Sequence, residues 1–193
     1  MLNKIVLLLM ISVLCACKNS PPREYFALSA TEADFKITAQ TPVNHIIGIG
    51  PVTIPEYLQH NKIAFWKTPQ QLILLDNNYW AEPLERGITR VLALELQAAH
   101  PDWRVLQFPW PNNQRPQYSL KIDVQRFDAF ADYAIIEATL DWINLQTKTV
   151  ISSQRIKLRH DSKANSAAIA QAFSALLQQS ARTITPPLLP VGK

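Results

Sequence analysis

Hydrophobic and polar positions alternate with a period of two along three stretches of the C-terminal half of the chain. In the first, Tyr118, Leu120, Ile122 and Val124 share one side and Ser119, Lys121, Asp123 and Gln125 the other. In the second, Ala134, Ile136, Ala138, Leu140 and Trp142 face inward, with Glu137, Thr139 and Asp141 outward. The third places Ile156 and Leu158 inward and Arg155, Lys157 and Arg159 outward. Such alternation predicts strands with one buried and one wet face. A hairpin around Gln146 to Lys148 joins the last two and sets outward acids against outward bases, each pair contributing about 0.2–1 kcal/mol. The basic row therefore reads as a charge-matched sheet surface rather than a headgroup site.

The N-terminal half carries shorter extended runs: Tyr25 to Leu28, His45 to Ile54, Lys62 to Thr68, Gln70 to Asp76 and Trp103 to Phe108. A polar connection precedes Asn44, a turn or single helical turn covers Pro55 to Leu58, and Asn77-Asn78 reads as a turn ending its strand. Gly48 and Gly50 do not make a nucleotide loop, because GIGP lacks a third glycine and Pro51 removes a backbone donor. They mark a bulge or a close backbone approach instead.

Two segments switch to helical period. After Pro83, at a natural first helical position, Leu84, Ile88, Val91, Leu92 and Ala99 fall on one face and Arg86, Arg90 and Gln97 on another. Glu95 projects near the middle of the apolar face and requires a partner. It is either a buried acid serving some chemistry or a carboxylate at the helix margin meeting an Arg or Trp donor, and we favour the latter. His100-Pro101-Asp102 ends this helix. The second helix covers Ser166 to Ile184, with Asn165 as N-cap and a stripe of Ile169, Phe173, Leu176, Leu177 and Ile184. The order predicts an α+β fold, a mainly antiparallel sheet with two amphipathic helices packed on one face.

Composition adds little: 193 residues, 48% hydrophobic and 18% charged, suit one domain with a real core, and a net charge of +4 does not argue for nucleic acid. The two cysteines add more. Cys15 and Cys17 are too close for an unstrained disulfide and supply half a zinc shell, with four histidines scattered singly. Lys4 followed by the apolar run Ile5 to Leu14 reads as a secretory signal, and Leu14-Cys15-Ala16-Cys17 resembles the bacterial lipobox. The boundaries expected are a lipoprotein signal peptide (1–16), lipidated Cys17 and a tether (17–24), one domain (25–184) and a proline-rich tail (185–193). Resemblance to bacterial lipoproteins, whose sorting rule reads an aspartate after the cysteine as inner-membrane retention, implies from Lys18 an anchor in the outer membrane. The competing readings are an ordinary signal peptide cut nearby and an uncleaved anchor.

The sequence holds no nucleophile elbow, metal motif, P-loop or supported acid pair, so no catalytic residues, metal or cofactor are assigned and the protein is expected not to be an enzyme. Of five tryptophans, Trp142 belongs to the core face. Trp110, in the proline-rich loop from Pro109 to Pro116, is the best exposed candidate for contacting a partner, while Trp66 and Trp80 flank strand ends and either cap the core or meet a partner.

IGIGPVTIPEYL (Ile47 to Leu58), NYWAEPLERGITRVLALEL (Asn78 to Leu96) and YFAL behind a lipobox resemble the ABC-type transport auxiliary lipoproteins of the PqiC kind, and the resemblance runs from Tyr25 to about Ile184. YFAL replaces the commoner double-tyrosine start, and Asn61-Lys62-Ile63 stands where relatives are richer in arginine. The resemblance implies an outer-membrane lipoprotein facing the periplasm, working with an MCE-domain protein and an inner-membrane transporter subunit to move lipid between membranes and preserve envelope integrity. It carries over no catalytic residue. Two roles are open on this reading, an anchored docking or adaptor subunit and a chaperone that carries lipid in its own cavity. The exposed sheet face or an edge offers a route to a homo-oligomer.

Overall fold

A computed structural model describes residues 21–31, 42–111 and 113–187. Eight strands run β1 (Glu24–Phe26), β2 (His45–Thr53), β3 (Lys62–Thr68), β4 (Gln71–Trp80), β5 (Trp103–Gln107), β6 (Tyr118–Ala129), β7 (Tyr133–Asn144) and β8 (Thr149–Asp161), with helices α1 (Leu84–Ala99) and α2 (Ser166–Thr183). A single 3-10 turn occupies Glu56–Leu58. The signal segment, Cys15 and Cys17, most of the connection before Asn44 and the end of the tail lie outside the described residues.

The α+β class holds, but the strands form two sheets rather than one. Five are ordered β5-β2-β6-β7-β8 and three β1-β4-β3. β2 pairs in parallel with both β5 and β6, and β1 pairs in parallel with β4, whereas β6-β7-β8 and β3-β4 are antiparallel. The antiparallel portion is the part whose alternation is visible in the sequence. Parallel neighbours come together through long crossovers, which local pattern does not encode.

Both helices pack on one face of the five-stranded sheet, α1 over β2 and β5 and α2 over β7 and β8, and they touch each other. Ile47, Ile49, Leu120, Ile122, Ala134, Ile136, Ala138, Leu140 and Trp142 meet Ile88, Val91, Leu92, Leu96, Ile169, Phe173, Leu176 and Leu177 in one buried cluster. Phe173 stacks on Phe127 with ring centroids 3.8 Å apart and on Trp80 at 5.9 Å, joining α2 to the larger sheet and to the base of the smaller one. Asn165 caps α2, its side-chain oxygen accepting the Ala168 N–H at 2.9 Å.

Four local expectations change. The alternation of β6 shifts phase at a bulge between Val124 and Arg126, so Phe127 and Ala129 are the next inward residues. Asn77-Asn78 does not end β4: Asn77 adopts φ 58° within a bulge, and Asn78 to Trp80 continue the strand by pairing with β1. Asparagine tolerates the left-handed region, so the bend needs no chain reversal. Ala99 is exposed in the last turn of α1, whose face is completed by Gly87, Thr89, Ala93 and Leu96. Glu95 lies at the helix margin, half-buried, but its carboxylate accepts the backbone N–H of Thr31 rather than an Arg or Trp donor. Arg90 instead joins Glu82 and donates to the Leu28 carbonyl at 2.7 Å, tying the segment after β1 to α1.

Candidate functional site

The helix-free face of the five-stranded sheet has two regions. On the β2 side, Gly48 points away from the helices, between Leu106 on β5 and Ser119 on β6. The Trp110 ring lies directly over it: a Cβ added at Gly48 would stand 2.6 Å from the indole and 2.8 Å from Pro116. This is the close approach expected of a glycine inside a strand, and it explains why Ser119 and Leu106 are buried on the nominally wet side. Gly50 contributes differently, with φ 108°, beside the bulge between Ile49 and Val52 and against Phe108.

Trp110 is thus half-buried, its ring against the sheet at Gly48 and in a T-shaped contact with Phe108 at 5.1 Å. Phe108 remains 46% exposed. Beside them Pro111, Arg115, Pro116, Gln117, Leu145 and Gln146 line an open depression of about 540 Å³. An anchored aromatic pair with a polar rim has the composition of a protein contact surface. The sequence singled out Trp110 but not Phe108, which ends a predicted strand and carries no separate signal.

The β7–β8 side is charge-matched, as the alternation implied. Glu137 receives Lys157 Nζ at 3.0 Å and the Arg126 guanidinium at 3.2 Å. These partners hold its carboxyl below the usual range, the Lys157 hydrogen bond being the largest cause. Asp123 is likewise lowered, by hydrogen bonds from the Thr53 hydroxyl at 2.5 Å and from Gln125. Arg126 also donates through Nε to buried Asp128 at 2.9 Å, and Asp128 accepts the Tyr57 hydroxyl at 2.6 Å. Burial, then the hydrogen bond to Asp128, raises the Tyr57 pKa well above that of a free phenol. This network was not anticipated, since Asp128 follows the bulge that re-phases β6. It links the 3-10 turn to the larger sheet and leaves Arg126 committed to two carboxylates.

The remaining candidates separate. Trp80 is buried at 6% exposure and stacks on Phe173, so it caps the core and presents no ring to a partner. Trp66 is half-buried on β3, its ring edge against Tyr57 at 5.6 Å. Cys17 lies outside the described residues. Among the described residues, no set of three or more His, Cys, Asp or Glu is arranged to hold a metal ion. No described helix is long and apolar enough to cross a membrane.

The chain is similar to the intermembrane transport lipoprotein PqiC of Escherichia coli strain K12 and of Shigella flexneri, 25% identical over 114 residues in each case. Those matches span 59% of this chain and 59% of each relative. A crystal structure from Xanthomonas campestris shares the fold, with TM-score 0.64 and 19% identity over 82% of this chain and 90% of that one. A second crystal structure, of an uncharacterized protein, superposes with TM-score 0.67 at 18% identity, covering 84% of this chain and 95% of the other. The family model described as ABC-type transport auxiliary lipoprotein component matches residues 26–185, which is the whole of the two-sheet, two-helix unit except the first two residues of β1. The chain belongs to that family of ABC-type transport auxiliary lipoproteins.

Proposed function

We propose that this lipoprotein is a non-catalytic docking subunit of an MCE-type intermembrane lipid transport system, anchored to the periplasmic face of the outer membrane through lipid on Cys17. The match of residues 26–185 to a transport auxiliary family is the observation that carries the reading. The similarity to PqiC, named an intermembrane transport lipoprotein, supports it. Residues 18–24 give the domain reach: at roughly 3.3–3.6 Å per residue they clear the headgroups but do not cross the periplasm, so a partner spans the gap.

Docking is favoured over carriage by the interior. Trp80, Phe127, Phe173 and Trp142 belong to one buried cluster among the described residues, while the depressions that Arg126, Arg104, Asp123 and Trp110 help to line are open at the surface. Phe108 and Trp110 then present the aromatic contact to the MCE-domain protein. The test is affinity recovery of the tagged full chain from native envelopes. An MCE-domain protein and an inner-membrane subunit are expected to co-elute, at a yield at least about tenfold lower for Phe108→Ala/Trp110→Ala, as for loss of a contact hot spot. Delipidated protein that retains phospholipid and recovers no protein partner would contradict docking and favour carriage.

A further inference from the structure

The surface around Trp110 is built from chain segments without an acidic residue. Residues 43–54, 103–119 and 142–154 hold Arg104, Arg115 and Lys148 and no Asp or Glu. Next to the Trp110 depression lies a second one of about 420 Å³, lined by Val43, Asn44, Ile46, Arg104, Arg115 and Gln117. Ile46 stands opposite Arg104 in the β2–β5 register, and its carbonyl accepts the Gln117 N–H at 3.2 Å. Like Gly48 two residues on, it points away from the helices, and it stays 36% exposed beside Val43 at 55%. Arg115 and Gln117 line both depressions, so the two guanidiniums, this apolar pair and the Phe108–Trp110 contact share one continuous surface.

Neither guanidinium is neutralised. On the other half of the same face Arg126, Lys157 and Arg159 each meet a carboxylate, whereas among the described residues Arg104 and Arg115 form no ion pair. Arg104 Nη2 donates instead to the Gln114 side-chain oxygen at 2.8 Å, a neutral acceptor that orients the guanidinium and leaves its charge. The nearest acid in the chain, Asp102, accepts the Asn44 side-chain amide at 3.2 Å. Arg115 is held through its neighbour Pro116, buried against Gly48. The free edge of β5 is also occupied: Gln97 donates to the Trp103 carbonyl at 2.7 Å and accepts the Val105 N–H at 3.0 Å. A ligand is therefore met by side chains on the sheet face and not by strand addition at that edge.

We infer that Arg104 and Arg115 receive the carboxylates of an acidic segment of the docking partner, whose apolar side chains lie on Ile46, Phe108 and Trp110. The inference rests on the docking reading and adds what the partner must carry. A guanidinium matches a carboxylate with two parallel hydrogen bonds. Arginine beside tryptophan is the composition of binding hot spots. A surface with cations and no acid attracts acidic segments and rejects basic ones. Val43 and Ile46 make too small an apolar floor to seat an acyl chain, which favours a peptide over a phospholipid.

The test uses the tagged full-length chain recovered from native envelopes, with the co-eluting MCE-domain protein, identified by mass, as the probe. Arg104→Glu/Arg115→Glu is expected to lower its yield per bait about tenfold or more, while Lys163→Glu, at an exposed cation ahead of α2, leaves it unchanged. Arg104→Gln/Arg115→Gln, which adds no repulsion, repeats the measurement should the reversal lower the melting temperature. Arg104→Lys/Arg115→Lys keeps the charge and supplies amines, so a carbodiimide is expected to join position 104 or 115 to an Asp or Glu of the MCE-domain protein. Full recovery of that protein by the Glu and Gln variants overturns this inference and leaves docking standing. No MCE-domain protein with the unaltered chain overturns docking, and this inference with it. Equal loss in Lys163→Glu overturns it in favour of net charge. A carbodiimide product joining two copies of this chain in place of the partner overturns it in favour of self-association. Dihexanoyl phosphatidylglycerol retained in equilibrium dialysis by the unaltered chain and not by Arg104→Gln/Arg115→Gln, with no crosslink to protein, overturns it in favour of a lipid headgroup.

Discussion

At the residue scale, Gly48 is where one missing atom decides a surface. The Trp110 ring occupies the space a side chain would take, so Gly48→Ala must move either the loop or the strand. The variant is expected to lose about 1–3 kcal/mol in denaturant unfolding, as overpacked sites do. Gly48→Ala/Trp110→Ala should lose less than the sum of its single changes, because the clash is shared. The residue was legible as a close approach but its partner was not, since nothing local indicates that a loop more than sixty residues away folds back across the strand. The Tyr57–Asp128 contact gives a second expectation. A phenol whose pKa is raised in the fold contributes stability that is intact below the unfolded value near 10 and is lost as pH rises through the folded value. Tyr57→Phe should cost about 1 kcal/mol at neutral pH through the lost hydrogen bond. It should also flatten the alkaline decline in unfolding free energy; an unchanged alkaline limb would assign that decline to other groups.

At the element scale, the helices and β7–β8 were readable because each buries one face, and burial imposes its period on the sequence. The stripe from Ile169 to Ile184 is buried as its spacing required, and Asn165 caps α2 from the position its side chain suggested. Asn165→Ala is expected to cost about 1 kcal/mol, measured as a lowered denaturant midpoint with unchanged slope. Bulges broke the reading elsewhere. One extra residue near Gln125 moves Phe127 onto the face that Gln125 and Asp123 do not share, and the excursion at Asn77 resembles a turn in sequence while the strand resumes beyond it. Both are settled by pairing partners, which are distant in the chain. The parallel β5-β2-β6 arrangement was illegible for the same reason.

At the scale of the whole molecule, residues 26–185 match the transport auxiliary family, and the helices and the larger sheet share one buried apolar cluster. The charge-matched β7–β8 surface also bears on acid behaviour. Carboxylates held below their usual range, Asp123 and Glu137, contribute stability that is present above the unfolded value near 4 and is lost as pH falls through the folded one. Both groups are on the surface, so Glu137→Gln should change neutral-pH stability by less than about 1 kcal/mol. It should nevertheless reduce the steepness of the acid limb in a pH series of urea unfolding curves. A wild-type slope in Glu137→Gln would place the acid sensitivity elsewhere.

The docking account depends on what happens at Cys17. Intact mass spectrometry of the full-length gene product recovered from bacterial envelopes tests this most directly. The account predicts a mature chain that starts at Cys17 and carries the added mass of a thioether-linked lipid. A chain that retains residues 1–16, or starts elsewhere with an unmodified thiol, would contradict it.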